Sequence, residues 1–195
     1  MAQVLLKITL PGVPDFYQGT ELWDFSLVDP DNRRPIDFRK RMALLEGLIQ
    51  QEAKRQQSLV QKILNSWEDV RLKLYTTYKA LNIRKSYKEL FQSGEYIPLK
   101  VEGQRQENVC AFARCKGETW VIIAIPRLMT KLVRVGAMPV GQRVWGDDLL
   151  LLPEGVPEHW LNIFTGESLK IPGAGGELPL SSVLSTFPVA FLESI

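Results

Sequence analysis

Hydrophobic and polar positions change regime three times along the chain. Val4 to Leu10 is a short run of β-formers closed by Pro11 and Gly12, the pattern of a strand buried on both faces. A polar stretch without periodicity follows, from Pro11 to Pro35. Between residues 37 and 93 helical spacing takes over: Phe38, Met42, Leu45, Leu48 and Ile49 share one stripe, with Arg39, Lys40, Arg41 and Glu46 off it. Ser58-x-x-Gln61 has the form of a capping box, and Ser66 is placed to cap a helix carrying Val70, Leu74, Thr77, Tyr78 and Leu81. Ser86-x-x-Glu89 repeats the signal, and Gly94 is placed as the stop.

From Gly94 the texture is that of strands. Short apolar runs, Tyr96 to Val101, Val109 to Cys115, Trp120 to Ile125, Leu149 to Leu152, Trp160 to Phe164, Leu178 to Leu180 and Val189 to Leu192, are separated by turn residues. Lys116-Gly117 and Thr165-Gly166 are hairpin signals, so a small antiparallel sandwich or barrel is expected. Arg127 to Arg143 reads as a long loop. The early strand is the odd element, because a strand buried on both faces needs neighbours and none follows before residue 94.

Composition narrows the function classes. The chain has 195 residues, 45% of them apolar and 24% charged, enough to bury a real core. Lys and Arg number 24 against 22 Asp and Glu, a net charge of +2, which nominates no nucleic-acid partner. Cys110 and Cys115 are five residues apart in a predicted strand and so point to opposite faces. They form no disulfide scaffold, and with the lone His159, read as structural, they make no metal site. No cofactor or metal is expected. The opening residues fit neither a membrane span nor a signal peptide, so a cytoplasmic protein without a membrane partner is expected.

The densest candidate chemistry lies between Asp15 and Arg34, reading DFYQGTELWDFSLVDPDNRR. Carboxylates, amides and Arg forks interleaved with aromatic rings suit sugars, whose ring faces stack and whose hydroxyls need paired donors and acceptors. A plainer reading stands beside it: Asp29-Pro30-Asp31-Asn32 as a turn with Pro at its second position, and Arg33 and Arg34 solvated or salt-bridged. Glu68-Asp69 and Asp147-Asp148 read as solvated or capping groups, and Arg39 to Arg41 as a wet helix face. Trp120, Trp145 and Trp160 suit a core better than a starch-binding surface.

Gly12, Pro14, Tyr17, Gly19 and Glu21 form a G-x-P-x-x-Y-x-G-x-E element that resembles the one following the eighth barrel strand in the α-amylase superfamily of glycoside hydrolases. The longer stretch PGVPDFYQGTELWDFSLVDPDNRRPIDF, Pro11 to Phe38, is similar to the signature of maltooligosyltrehalose synthases. The similarity extends through NSWEDVRLKLYTTYKAL, FQSGEYIPLKVEG, VCAFAR, IPRL, WGDD and FPVAFL, nearly the whole chain.

This resemblance implies an α+β fold: the last strand and helix of a (β/α)8 barrel with a helical extension, then a small antiparallel C-terminal β-sandwich. Residues 1–93 would be the end of the catalytic barrel and 94–195 the sandwich domain. It also implies a retaining isomerase that turns the reducing-end α-1,4 linkage of a maltooligosaccharide into an α,α-1,1 linkage. Such chemistry needs two carboxyl groups roughly 5 Å apart, and the family's catalytic carboxylates follow earlier barrel strands, so none is assigned here.

The loop is left with substrate placement, because sites of this barrel lie where the strands end. Arg33 and Asn32 are the first candidates, with Asp29, Asp31 and Arg34 around them and Tyr17, Gln18 and Glu21 second; Tyr17 and Glu21 also suit a purely structural role. Trp23 reads equally well as a platform or a plug. The implied partners are the maltooligosaccharide and the missing N-terminal barrel portion. Self-association through strand pairing of Val4 to Leu10 is expected as well. The alternative is a free-standing, non-catalytic carbohydrate-binding or scaffold module.

Overall fold

A computed structural model describes residues 1–66, 68–171 and 176–195; Trp67, inside the NSWEDV stretch, lies outside them. The chain is built in three layers. Helices α1 (Ala2–Thr9), α2 (Phe38–Leu64), α3 (Arg71–Ser86) and α4 (Lys88–Ser93) lead into strands β1 (Glu95–Leu99), β2 (Val101–Glu102), β3 (Val109–Lys116) and β4 (Thr119–Pro126). A one-turn helix α5 (Gln142–Trp145) precedes β5 (Leu149–Leu151), β6 (His159–Asn162), β7 (Ser168–Lys170) and β8 (Glu177–Pro179), and α6 (Leu180–Val183) precedes β9 (Ala190–Ser194).

The strands form a six-stranded sheet, β1-β3-β4-β9-β6-β7, and a three-stranded one, β2-β5-β8, all pairs antiparallel. Alternation along the central strands sends side chains to two different cores. Phe112, Val121, Ile123, Ile125 and Phe191 meet the helical residues Leu5, Ile8, Tyr75 and Leu90, whereas Ala111, Ala113, Ile122, Ala124 and Leu192 meet Leu150, Leu178 and Trp145 around the smaller sheet. Covered on both faces, β4 reads VIIAI without a polar break. Trp145 and Trp160 are fully buried, which removes both from any starch-binding surface. His159 is exposed on β6, so it plays no part in the core.

The expected strand at Val4 to Leu10 is corrected: Ala2–Thr9 is a helix. A strand needs a paired neighbour, whereas a helix satisfies its backbone internally. Leu5 and Ile8, three apart, are then wholly buried against α3 and β4. The last carbonyls of α1 are met by arginines: Arg84 donates to the Ile8 oxygen (2.5 Å) and Arg114 to that of Thr9 (3.3 Å), and Arg84 also reaches the Gly12 oxygen in the loop beyond (2.6 Å). The open strand edge on which self-pairing was to rest is therefore not formed.

The helical stretch stands, with different joints. No break occurs at Ser58; α2 kinks at Arg55, whose backbone is extended (φ −168°, ψ 92°), and the next residue, Gln56, donates to the Ile163 and Phe164 carbonyls (2.8 and 3.1 Å). Ser66 does not cap α3, whose N-cap position is Val70; the carboxylate that meets its first N–H is that of Asp69, accepting from Arg71 at 2.8 Å. Ser86 is the last residue of α3 and caps nothing. Gly94 ends α4 in extended rather than left-handed geometry (φ −70°, ψ 154°), and is needed because a Cβ there would lie 2.3 Å from the Leu90 oxygen.

Candidate functional site

The loop between α1 and α2 is held at both ends. At its start, the Tyr17 carbonyl accepts from the Thr20 N–H (3.2 Å) and hydroxyl (2.7 Å), closing a tight turn around Gln18 and Gly19. Gly19 has φ +92°, and a Cβ on it would lie 2.7 Å from Ile36 Cδ1, so both conformation and space demand glycine. Arg41, expected to be a wet cation, clamps this turn to α2. Its Nε donates to Glu21 Oε2 (3.0 Å), its Nη2 to the Gly19 oxygen (2.8 Å) and its Nη1 to the Asp37 oxygen (3.2 Å). Glu21 thus has the structural role that its motif position also allowed. Lys73 Nζ donates to the Leu22 oxygen at 3.0 Å and lies over the Trp23 ring, 5.6 Å from its centroid, so one face of Trp23 is occupied by a cation.

The second half of the loop is a separate cluster. Asp31 N–H donates to the Val28 oxygen (3.1 Å), and the Asp29-Pro30 peptide is cis. Pro30 therefore takes the third position of a turn over residues 28–31, correcting the expected second position of one over 29–32. Asp31–Arg33 form a single 3-10 turn. Arg33 Nε donates to Asp29 Oδ1 at 2.5 Å, Arg34 pairs with Asp31, and Asp31 also accepts the Leu27 N–H at 2.8 Å. That N–H, then Arg34, hold the Asp31 carboxyl below the ordinary carboxylate value. Arg33, Arg34 and Asp29 are exposed, whereas Asn32 Oδ1 is buried without a hydrogen-bond partner, an unsatisfied acceptor beside two Arg forks.

The candidate residues thus fall in two sets. Asp29, Asp31, Asn32, Arg33 and Arg34 are gathered within one turn, whereas Tyr17, Gln18 and Glu21 belong to the Arg41-clamped turn. Among the described residues no hydrogen bond joins the two, and no group of three or more His, Cys, Asp or Glu is placed to hold a metal. Sequence reasoning missed Arg41, whose signal was its position one turn after the Asp37 N-cap.

No family model matches the chain. In fold the chain is similar to an Anoxybacillus alpha-amylase, which superposes over 97% of this chain and 30% of its own, with a TM-score of 0.57 at 16% identity, a likeness of fold alone. Closer in sequence are the trehalose-forming synthases. A Mycobacterium tuberculosis protein assigned as a maltooligosyl trehalose synthase is 33% identical over 192 residues, 98% of this chain and 20% of the relative. A solved variant of the maltooligosyltrehalose synthase from Arthrobacter ramosus gives a TM-score of 0.69 at 29% identity, over 98% of this chain and 21% of its own. The resemblance to maltooligosyltrehalose synthases holds in sequence and in structure, and the chain spans about a fifth of the length of these relatives. A free-standing carbohydrate module is not favoured, since the match is to part of a larger enzyme.

Proposed function

We propose that this chain is the C-terminal part of a maltooligosyltrehalose synthase. In this reading the whole enzyme rearranges the reducing-end α-1,4 linkage of a maltooligosaccharide to an α,α-1,1 linkage by intramolecular glucosyl transfer, in the cytoplasm. Residues 1–93 close the catalytic barrel and 94–195 form the C-terminal β-sandwich domain. The observation that carries the reading is the match over 98% of this chain to one fifth of a synthase. The task left to this part is to hold the glucose that must be turned and re-attached. Asn32, with its buried unpaired acceptor, accepts a hydrogen bond from a sugar hydroxyl, while Arg33 and Arg34, kept in register by Asp29 and Asp31, donate to ring and hydroxyl oxygens. Tyr17 and Gln18 line the approach.

The chain alone, in this reading, leaves maltopentaose unchanged, because the nucleophile and acid are supplied elsewhere. In the complete enzyme, Arg33→Ala loosens the released glucose and lowers the ratio of isomerisation to hydrolysis by about tenfold, the effect of losing roughly 1.4 kcal/mol of transition-state binding. Product analysis by chromatography measures both. Turnover by the purified chain, or an unchanged ratio and rate in Arg33→Ala, defeats the respective statement.

A further inference from the structure

Helix α2 bends where its own sequence calls for a straight helix. A sharp kink has a cause: Pro, a Gly or Ser pair, a bulge, or a group that breaks into the hydrogen-bond ladder. Gln51 to Gln57 reads QEAKRQQ, an unbroken run of strong helix formers. Arg55 nonetheless has φ −168° and ψ 92°. Its side chain is exposed and makes no ion pair among the described residues, so Arg55 does not hold the bend itself.

The residue after it is gripped from three sides. Gln56 Nε2 donates to the Ile163 and Phe164 oxygens (2.8 and 3.1 Å) and to the Tyr75 hydroxyl (3.2 Å). Tyr75 is buried and donates in turn to the Phe164 oxygen at 2.8 Å. The receiving turn between β6 and β7 is fixed by its own bonds: Asn162 Oδ1 accepts the Phe164 N–H (3.0 Å), the Asn162 oxygen accepts the Gly166 N–H (2.8 Å), and Glu167 accepts the Ser185 hydroxyl (2.6 Å). Gly166 leaves the space, since a Cβ there would lie 2.8 Å from Gln56 Oε1.

We propose that Gln56 is a positioning residue: seated in the β6–β7 turn, it holds α2 bent at Arg55 and so sets where α2 presents Arg41 and the loop turn clamped to it. From Arg55 back to Arg41 the helix spans roughly 20 Å at 1.5 Å per residue. Rotation about Arg55 by about 20°, the least that counts as a sharp kink, carries the Arg41 end by ~7 Å. That exceeds the reach of the bonds from Arg41 to Gly19 and Glu21 (2.8 and 3.0 Å). Straightening α2 therefore breaks the clamp or drags the turn with it, and the sheet is coupled to the loop through one rigid element with two arrangements. Only the consequence for glucose rests on the proposed function; the coupling does not. Leu48, buried, and the Glu52–Lys79 pair (2.5 Å) also hold the first half of α2, and the test separates their grip from that of Gln56.

The test is Gln56→Ala in this chain, with Gln57→Ala, exposed and next in line, as the control for helix propensity. Gln56→Ala moves the Arg55 Cα chemical shift from an extended to a helical value and raises the far-ultraviolet helical signal. It also accelerates amide exchange at residues 17–21 at least tenfold. Gln57→Ala does none of these. Loss of a merely structural bond would lower the helical signal rather than raise it. Gly166→Ala, whose methyl displaces the Gln56 amide from the other side, gives the same Arg55 shift; should one of the two variants unfold, the other decides. An Arg55 that stays extended gives the bend to Leu48 and the Glu52–Lys79 pair and overturns the proposal. So does a helical Arg55 with unchanged exchange at residues 17–21, or unfolding of both variants. In the complete enzyme Gln56→Ala lowers the ratio of isomerisation to hydrolysis about tenfold, as loss of Arg33 does. A helical Arg55 and faster exchange with an unchanged ratio leave the positioning role standing and defeat the reading of the loop as the holder of glucose.

Discussion

Arg41 shows how much one side chain decides in the loop. Its guanidinium is mostly buried and engages a carboxylate and a carbonyl of one turn and the carbonyl of the Asp37 N-cap, so the turn carrying Tyr17, Gln18 and Glu21 is fixed relative to α2. Charge-assisted bonds of this kind contribute about 1.5–3 kcal/mol where solvent is largely excluded. Arg41→Ala removes the clamp and leaves Glu21 without its partner. The expected cost is about 2 kcal/mol, with a melting shift of roughly 4–8 °C and exchange in residues 17–21 accelerated at least tenfold. Arg41→Lys recovers less than half, because a point ammonium cannot span three acceptors held in a fork. A calorimetric shift below 1 °C for Arg41→Ala returns the residue to the wet face assigned from sequence. The candidate cluster from Asp29 to Arg34 was legible because its partners are three or four residues apart. Arg41 was not, since its acceptors Gly19 and Glu21 lie twenty or more positions away and sequence shows only a cation beside two others.

Elements were read well where their pattern is local. Both hairpin signals stand, with Lys116 paired to Thr119 around Gly117 and β6 turned into β7 at Gly166, because those turns require a left-handed residue. The helix at Ala2–Thr9 was not legible: VLLKITL is rich in residues that favour strands, and what decides is the absence of a strand partner together with two arginines more than seventy residues away. Propensity yielded to tertiary context. Gly47 and Gly94 separate two uses of glycine. Gly47 lies inside α2, and a Cβ added to it would meet nothing within 4 Å, whereas a Cβ on Gly94 meets backbone at 2.3 Å. Gly47→Ala therefore stabilises by about 0.5–1 kcal/mol through helix propensity and unfolded-state entropy. Gly94→Ala forces α4 away from β3 and destabilises by about 2 kcal/mol or more, on the order of an overpacked core. Urea melts of the two variants check the opposite signs, and two shifts in the same direction would falsify the distinction.

At the scale of the whole molecule, the helical layer and the six-stranded sheet share one apolar cluster, and Arg114 is the polar joint within it. Its side chain rises from β3 among Phe112, Phe91 and α1, only 2% exposed. The guanidinium donates to the oxygens of Glu95 (3.1 Å), Thr9 (3.3 Å), Leu90 (3.2 Å), Phe91 (3.4 Å) and Gly94 (2.9 Å). These include the last carbonyls of α1 and α4, whose negative dipole ends face the cation. Among the described residues no carboxylate pairs with it, so carbonyl dipoles carry the neutralisation. Burial, and then the charge of Arg84, hold its pKa below the usual arginine value. A guanidinium nonetheless stays charged throughout the ordinary pH range, so its contribution does not vary with pH there. Arg114→Met preserves volume but strips a charged donor from five carbonyls, three of them in buried bonds, at an expected cost of about 4 kcal/mol. In a chain of this length that lowers the melting temperature by roughly 10 °C. Because α1, α4 and β3 meet at this one group, tryptophan fluorescence and far-ultraviolet circular dichroism should follow a single coincident transition in the native chain and separate in Arg114→Met, the helical signal falling first. Coincident curves in the variant, with a loss under about 1 kcal/mol, would show that apolar contact alone joins the helical layer to the sheet.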